Sequence, residues 1–271
     1  ATDPSATRRA ATSWRNDVGI LAGKKGLAIG IANQRSIAWA CAKAFDIAGA
    51  TLGGTWHSDR SRPHVEPLLD ALDVEIRRPL DVLDDGQMQA LFEEVARRWG
   101  RLDFVLHSIA FAPRADLLGR VVDSSREGFG LAMDVSCHSF LRLARLAEPL
   151  MSNGGSLITM SYLGGTEVVP NYGIMGPVKA ALESATRYLA AELGPAGIRV
   201  NAVSPGPIPT RAASGLSDLD ALMADSAARS PLRRALSIDD VGPLCAFLAS
   251  DGARAITGST LYVDGGHHIL N

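Results

Sequence analysis

Cysteines and long apolar runs are scarce in this 271-residue chain, and its net charge is small. Each of these features excludes a class of protein. The three cysteines, Cys41, Cys137 and Cys245, stand far apart, which excludes a disulfide scaffold and a cysteine-rich metal site. No apolar run reaches the ~18 residues that a membrane-spanning helix needs. The net charge is −2, so the chain has no basic surface of the kind that binds nucleic acid. We therefore expect a cytoplasmic globular protein with reduced, buried thiols.

The residues near the two ends of the sequence indicate neither a secretory signal nor a metal site. Residues 1–19 are polar and contain no apolar segment like that of a secretory signal, so we expect a disordered tail before a domain over residues 20–271. His267 and His268 are the only paired histidines. Without a cysteine or carboxylate cluster beside them, they do not indicate a metal site.

Short apolar runs alternate with longer amphipathic ones through the rest of the chain. This alternation predicts an α/β fold in which helices cover both faces of one doubly wound, parallel, Rossmann-like sheet. Such a sheet binds its ligand at the carboxyl ends of the strands. The predicted strands are 26–31, 50–56, 74–78, 102–107, 156–160, 198–203 and 260–263, and the predicted helices are 36–48, 63–72, 84–99, 126–151, 176–193 and 238–249.

The first strand-to-helix turn lacks the G-x-G-x-x-G pattern of many dinucleotide sites. It reads G-I-A-N-Q-R-S-I-A, in which only Gly30 remains and small residues replace the other glycines. A tight turn before a helix N-terminus could still receive a diphosphate. Ser36 could cap the helix and donate to phosphate. The residues alone leave a dinucleotide site and an ordinary turn both open.

The ends of the second and third predicted strands bear on cofactor choice. An acidic residue at the second strand's tip favours NAD, and a basic one favours NADP. The tip is Trp56-His57-Ser58, and the acidic Asp59 and the basic Arg60 and Arg62 lie just beyond it, so the two indications conflict. Asp81, after the third strand, could accept a hydrogen bond from an adenine amino group or cap the helix near residue 84.

Residues 159–184 carry the strongest chemical signal. Lys179 follows Tyr172 by seven residues, which on a helix would place both side chains on one face. Pro177 is compatible with the first turn of that helix. Three of the four lysines precede residue 44, and the fourth lies among small apolar residues, where a charge needs a reason. We expect its ammonium to lower the pKa of the tyrosine, which would then exchange a proton at a carbonyl oxygen.

Two further stretches need an interpretation. His107, at the end of the fourth strand, is expected to be a hydrogen-bonded, partly buried histidine rather than a base. Residues 201–215 hold several prolines and glycines, and Leu216, Leu219, Leu222 and Met223 follow at helical spacing. This spacing predicts a helical lid, over about residues 207–232, that covers an apolar substrate. A surface loop with one packed face is the alternative.

Taken together, these motifs resemble the short-chain dehydrogenase/reductase superfamily, and within it the enoyl-[acyl-carrier-protein] reductase branch. The resemblance spans about residues 20–267. It depends on G-x-A-x-x-x-S-I-A, H-S-I-A-F-A-P, S-Y-L-G followed by P-N-Y-x-x-M-G-x-x-K, and a terminal Y-V-D-G-G. Tyr162 and Tyr172 stand ten residues apart, and the superfamily's usual Tyr-x3-Lys is Tyr-x6-Lys here.

The resemblance implies a role for each matching position. Tyr172 would be the tyrosine that donates a proton and stabilises the substrate oxygen, Tyr162 would be its companion at the substrate, and Lys179 would hold the nicotinamide ribose hydroxyls. Ala112 would contact substrate. The implied cofactor contacts are Gly30, Ser36, Ile37, His57, Asp81, Val82, Ser108, Ile109, Lys179, Ile208 and Thr210.

The activity implied is reduction of the trans-2 double bond of an enoyl thioester by a nicotinamide hydride, in bacterial fatty-acid synthesis. The carrier would be acyl-carrier protein or coenzyme A, and the assembly a homotetramer. No arginine stands at the second strand's tip itself, which favours NADH, with NADPH possible. A carbonyl-reducing relative acting on 3-oxoacyl or other ketone substrates is the first alternative. A non-catalytic nucleotide sensor is the second.

Overall fold

The computed structural model describes residues 19–210 and 219–270. Nearly all of the predicted tail, and residues 211–218 of the predicted lid, therefore lie outside the described residues. Within them the chain forms one sheet of seven strands. The strands are β1 (Lys25–Ile29), β2 (Thr51–Trp56), β3 (Ile76–Pro79), β4 (Phe104–His107), β5 (Gly155–Met160), β6 (Ile198–Pro205) and β7 (Thr260–Val263).

All seven strands are parallel, in the order β3-β2-β1-β4-β5-β6-β7. The chain starts in the middle at β1, moves outward to β3, then crosses back to β4 on the other side of β1. This reversal opens a crevice at the carboxyl ends of β1 and β4, where such sheets bind ligands. The predicted doubly wound, Rossmann-like sheet is confirmed.

Helices cover both faces of the sheet. The described α-helices are α1 (Ile37–Ile47), α2 (Arg62–Ala71), α3 (Asp85–Trp99), α4 (Arg114–Leu118), α5 (Arg126–Met133), α6 (Ser139–Ala147), α7 (Met175–Leu193), α8 (Leu219–Arg229) and α9 (Gly242–Ala249). The helices α1, α2 and α9 pack on one face around Phe45 and Phe104, whose rings lie 4.7 Å apart, and α3, α6 and α7 pack on the other.

The helix predicted over 126–151 is not a uniform α-helix. A π-helical segment, Asp134–His138, separates α5 from α6, and a 3₁₀ turn, Glu148–Leu150, ends the run. An extra residue in a helical turn rotates the residues that follow it, and such segments concentrate at functional sites. Hydrophobic periodicity does not reveal this insertion.

The three cysteines are buried and unpaired, as expected for reduced thiols. Burial raises the pKa of the Cys137 thiol, which keeps it protonated at neutral pH. In the described part of the chain, no helix is both long and apolar enough to cross a membrane.

Candidate active site

Gly30 brings the end of β1 against the end of β4. Its φ of +107° is accessible to glycine but strained for other residues. A Cβ at this position would lie 2.1 Å from the carbonyl oxygen of Ser108. The first turn and the residues after β4 therefore meet backbone to backbone, and Ile109 packs beside them on the α3 side of the sheet. Two of the predicted cofactor contacts, Gly30 and Ser108, share this crevice.

Ser36 occupies the residue before α1 but does not cap it. Its hydroxyl donates to the carbonyl of Asn33 at 2.7 Å and accepts from the amide of Ala32 at 3.4 Å. The predicted side-chain cap is therefore wrong, because the turn uses the hydroxyl to hold its own backbone. The start of α1 at Ile37 has no side-chain cap, and a helix N-terminus of this kind favours an anion.

The edge formed by β2 and β3 places His57 beside Asp81. His57 Nε2 lies 3.7 Å from Asp81 Oδ2, and the other carboxylate oxygen accepts from the amide of Leu83 at 3.0 Å. The cap of α3 is Asp84, which accepts from the amide of Gln87. Of the two roles left open for Asp81, capping is therefore wrong. Its neighbour Val82 is buried.

Arg62 turns back onto β2 instead of projecting from the strand's tip. Its guanidinium lies 5.4 Å from the ring centroid of Trp56, and its Nε donates to Glu66 at 2.7 Å. Cation–π contact and an ion pair along α2 hold it there. This arginine is consequently not free to receive a ribose phosphate at the tip.

Tyr172 precedes α7 rather than lying on it. The helix begins at Met175, and Tyr172 is in a tight turn where Asn171 and Gly173 have φ of +60° and +53°. The predicted shared helix face is therefore wrong. The turn instead packs the Tyr172 ring against Tyr162, with ring centroids 4.7 Å apart and planes inclined by 53°. Pro177 is within the first turn of α7, as predicted.

A 3₁₀ turn of residues Leu163–Gly165 fits between the tyrosines and α7 because two of its residues lack side chains. A Cβ on Gly164 would lie 2.4 Å from Cδ1 of Tyr172. One on Gly165 would lie 2.9 Å from Oε1 of Glu183. Gly164 is the glycine of the S-Y-L-G motif. The sequence alone does not show that this position needs a glycine to make room for the Tyr172 ring.

Lys179 is buried under this turn, with 4% of its surface exposed. Its ammonium donates to the carbonyl of Met160, at the end of β5, with 2.6 Å between the atoms. Burial lowers the pKa of Lys179 to about 8, and the nearby Cys137 and Glu183 act in the opposite direction. The lysine is thus mostly charged at neutral pH and loses its proton under mildly alkaline conditions.

The two phenols are harder to ionise than free tyrosine. Burial raises the pKa of Tyr162 to about 12. Burial also raises the pKa of Tyr172, and the electrostatic interactions with Tyr162 and Glu183 raise it further. The predicted lowering of the Tyr172 pKa by Lys179 is therefore wrong. Both phenols remain protonated at neutral pH, so they can donate hydrogen bonds to a substrate oxygen.

His107 is a structural residue, as predicted, and it is completely buried. Its ring nitrogens hydrogen bond to Thr159 Oγ1 at 2.9 Å and to Ser139 Oγ at 2.8 Å. Burial, and then the charge of Lys179, lower the pKa of His107 to about 3. The ring therefore stays neutral and ties β4 to β5 and α6.

Ser136, in the π-helical segment, is a residue that the sequence analysis missed. Its hydroxyl accepts from the amide of Phe111 at 2.9 Å and donates to the carbonyl of the same residue at 3.0 Å. This double contact fixes the loop that follows β4. Ala112, the next residue, packs with Tyr172 against Ile174 and Val178. The residue predicted to contact substrate thus belongs to the same apolar cluster as Tyr172.

A cavity of about 540 Å³ opens next to Tyr162. Its wall includes α8, through Leu222, so the described part of the predicted lid does line a cavity. Ile208 is buried at the exit of β6, and the amide of Thr210 donates to its carbonyl. The other lining residues are Leu163, Glu167, Val168, Val169, Pro170, Asn171, Ser204, Pro205, Gly206, Pro207, Ala221, Asp225, Arg229, Asp264 and His267.

Among the described residues, no group of three histidine, cysteine or acidic side chains is arranged to hold a metal ion. His268 is engaged elsewhere: its ring stacks on Tyr262, and its Nδ1 lies 2.9 Å from Asp264 Oδ2.

Known proteins resemble this chain over most of its length. A family profile described as enoyl-(acyl carrier protein) reductase matches residues 30–268. Enoyl-[acyl-carrier-protein] reductase [NADH] 1 of Rhizobium meliloti (strain 1021) is 44% identical over 252 residues, which are 93% of each chain. The corresponding NADH enzyme of Nostoc sp. (strain PCC 7120) is 46% identical over 92% of this chain and 98% of its own.

Solved structures give the same result. The enoyl-[acyl-carrier-protein] reductase of Anaplasma phagocytophilum, in complex with NAD, superposes with a TM-score of 0.90 at 45% identity, covering 93% of this chain and 97% of that one. The Bacillus cereus enzyme, with NADP+ and indole naphthyridinone, superposes with a TM-score of 0.91 at 44% identity, covering 93% and 99%.

Proposed function

Because the chain belongs to the enoyl-[acyl-carrier-protein] reductase family, we propose that it reduces the trans-2 double bond of an enoyl thioester with NADH in fatty-acid synthesis. The observation that carries this proposal is the contact between Tyr162 and Tyr172 above a buried Lys179. A pair of protonated phenols at the strand ends suits a reaction that generates negative charge on an oxygen.

The crevice fits a dinucleotide. Gly30 leaves open the space that a Cβ would fill beside Ser108, and α1 points an N-terminus without a side-chain cap at it. Asp81 keeps a partly exposed carboxylate at the β3 edge, next to His57. These residues would receive the diphosphate and the adenosine, and the bound nicotinamide supplies the hydride that the β-carbon takes up.

The tyrosines act on the thioester oxygen. As hydride reaches the β-carbon, electron density moves through the former double bond to that oxygen, and the Tyr172 hydroxyl donates a hydrogen bond to it, assisted by Tyr162. Uptake of a proton from solvent at the α-carbon then completes the reduction, so that one hydride and one proton have added across the former double bond. Since burial raises the pKa of both phenols, they are already in the donating form.

The proposed role of Lys179 is to orient the cofactor and not to ionise Tyr172. We assign it the nicotinamide ribose hydroxyls, because its ammonium is buried, charged at neutral pH and already fixed by one hydrogen bond to Met160. Two of its three donors remain for a ligand. The contact between ammonium and ribose would fix the ring that carries the hydride.

The β2–β3 edge favours NADH over NADPH. A 2′-phosphate there would meet the Asp81 carboxylate, while Arg62 is held against Trp56 and Glu66. The related Rhizobium and Nostoc enzymes are named for NADH, although the Bacillus cereus structure holds NADP+. We therefore expect a lower KM for NADH.

The acyl group would enter the cavity beside Tyr162, whose apolar wall includes Leu163, Val169 and Leu222. We propose acyl-carrier protein as the carrier, with coenzyme A as a surrogate, and a homotetramer in the cytoplasm as the working form. The family resemblance supports the carrier and the homotetramer. The reduced, buried thiols support the cytoplasm.

The deciding experiment follows the oxidation of NADH and NADPH with an enoyl thioester and with a 3-oxoacyl thioester in parallel. The proposal requires turnover of the enoyl substrate, with NADH preferred. Turnover of the 3-oxoacyl thioester alone would instead identify a carbonyl reductase. Cofactor binding without turnover of either substrate would identify a nucleotide sensor.

A further inference from the structure

A carboxylate is buried next to the proposed catalytic residues, and the reaction described above gives it no role. Glu183 lies one turn after Lys179 on α7, and only 5% of its surface is exposed. Burying a carboxylate carries a desolvation cost of several kcal/mol unless it is hydrogen bonded or near a positive charge. The position of Glu183 therefore needs a physical reason.

Its partner is Ser161, whose hydroxyl donates to Oε1 of Glu183. Ser161 stands between Met160, whose carbonyl accepts from Lys179, and Tyr162. Lys179 and Glu183, both on α7, thus hold the consecutive residues Met160 and Ser161. The chain continues from Ser161 directly into Tyr162. The same carboxylate lies against Gly165, where a Cβ would come within 2.9 Å of it.

Glu183 also acts on both proposed catalytic groups through space. Its negative charge raises the pKa of Lys179 against the effect of burial, and it raises the pKa of Tyr172. The other titratable groups that face Lys179 are Cys137, from the π-helical segment, and His107, from β4. Tyr162 is the other group that faces Tyr172. Glu183 is the group that reaches both sides of the site.

We propose that Glu183, held by the Ser161 hydroxyl, is a positioning residue that keeps the Lys179 ammonium and the β5 exit in place for the reduction. The role rests on the proposed function and acts through Lys179 and Tyr162. It requires both the charge of the carboxylate, which keeps Lys179 protonated, and its hydrogen bond, which fixes the residue before Tyr162.

The test uses Glu183→Gln, which removes the charge, and Ser161→Ala, which removes the hydrogen bond and keeps the charge. Glu192→Gln is the matched control, because Glu192 is exposed on the same helix. Because Glu183 raises the pKa of Lys179, which is about 8 in the unchanged protein, Glu183→Gln should lower this pKa. The alkaline limb of NADH affinity should consequently move down by about one pH unit.

The second readout is turnover at constant pH. We expect kcat to fall by about tenfold in both variants. Ser161→Ala loses the hydrogen bond that holds the residue before Tyr162, and Glu183→Gln keeps only the weaker hydrogen bond that a neutral amide oxygen accepts. In Ser161→Ala the alkaline limb should not move down, since the charge remains. Ser161→Thr, which keeps a hydroxyl, should restore kcat, and Glu192→Gln should match the unchanged protein in both readouts.

Two outcomes would overturn the proposal. In one, Glu183→Gln lowers the melting temperature while its kcat and its pH profile superpose on those of the unchanged protein, which would make Glu183 a packing residue only. In the other, Ser161→Ala is fully active. NADH affinity is measured by binding, so it tests Glu183 even if the unchanged protein fails to reduce enoyl thioesters, which would refute the proposed function separately.

Discussion

A methyl group added at Gly164 would have no room beside Tyr172. The new Cβ would lie 2.4 Å from Cδ1 and 2.7 Å from Cε1 of that ring, whereas ordinary contact begins at 3.4 Å. The ring must therefore move by about 1 Å. A displacement of this size at reacting groups lowers turnover by ~100-fold. Gly164→Ala should accordingly lower kcat by about two orders of magnitude.

The same substitution should leave cofactor affinity nearly unchanged, because Lys179 and the Gly30 turn are held by separate contacts. Gly194→Ala is the control: it is exposed just after α7, with φ −54° and nothing within 4 Å of the added Cβ. Steady-state kinetics with an enoyl thioester, together with NADH titration, measures both effects. If Gly164→Ala keeps kcat within about twofold of the unchanged protein, the Tyr172 ring position does not limit turnover and the reasoning fails.

Three further perturbations test the rest of the site. Tyr172→Phe should lower turnover far more than NADH affinity, since only the oxygen contact is lost, whereas Lys179→Ala should reduce both; kinetics and NADH titration would compare them. Gly30→Ala should abolish NADH binding and lower stability by about 1–3 kcal/mol, because of its strained φ and the contact with Ser108; calorimetry and denaturant unfolding measure these effects. The pKa of His107 is ~6.5 in the unfolded state and about 3 in the folded state. The free energy of unfolding should therefore fall as pH drops through this window, by about 1.4 kcal/mol per pH unit. Denaturant unfolding at several pH values measures this slope.

Each of these expectations has a contrary result. Equal, mild effects of Tyr172→Phe and Lys179→Ala would remove the division of roles between them. Full NADH affinity in Gly30→Ala would mean that the dinucleotide does not use this turn. A pH dependence that is the same in His107→Asn as in the unchanged protein would show that another group titrates in this window.

The alternation of apolar runs determined the fold class, because strands covered on both faces must read as short, continuous apolar segments. Motifs with fixed spacing predicted that Tyr162, Tyr172 and Lys179 form the chemical centre. Lys179 could also be recognised because it is a single lysine among small apolar residues. A charge that is buried needs a function to offset its desolvation.

Only the tertiary structure decided how these residues meet. A seven-residue spacing was interpreted as one helix face, yet a left-handed turn at Asn171 and Gly173 puts Tyr172 outside the helix and against Tyr162. The pKa of Tyr172 depends on burial by segments far apart in sequence, so a spacing rule predicted its direction wrongly. Ser136 and Ser161 likewise acquire their partners across more than twenty positions, through contacts that exist only after the sheet and its helices have packed.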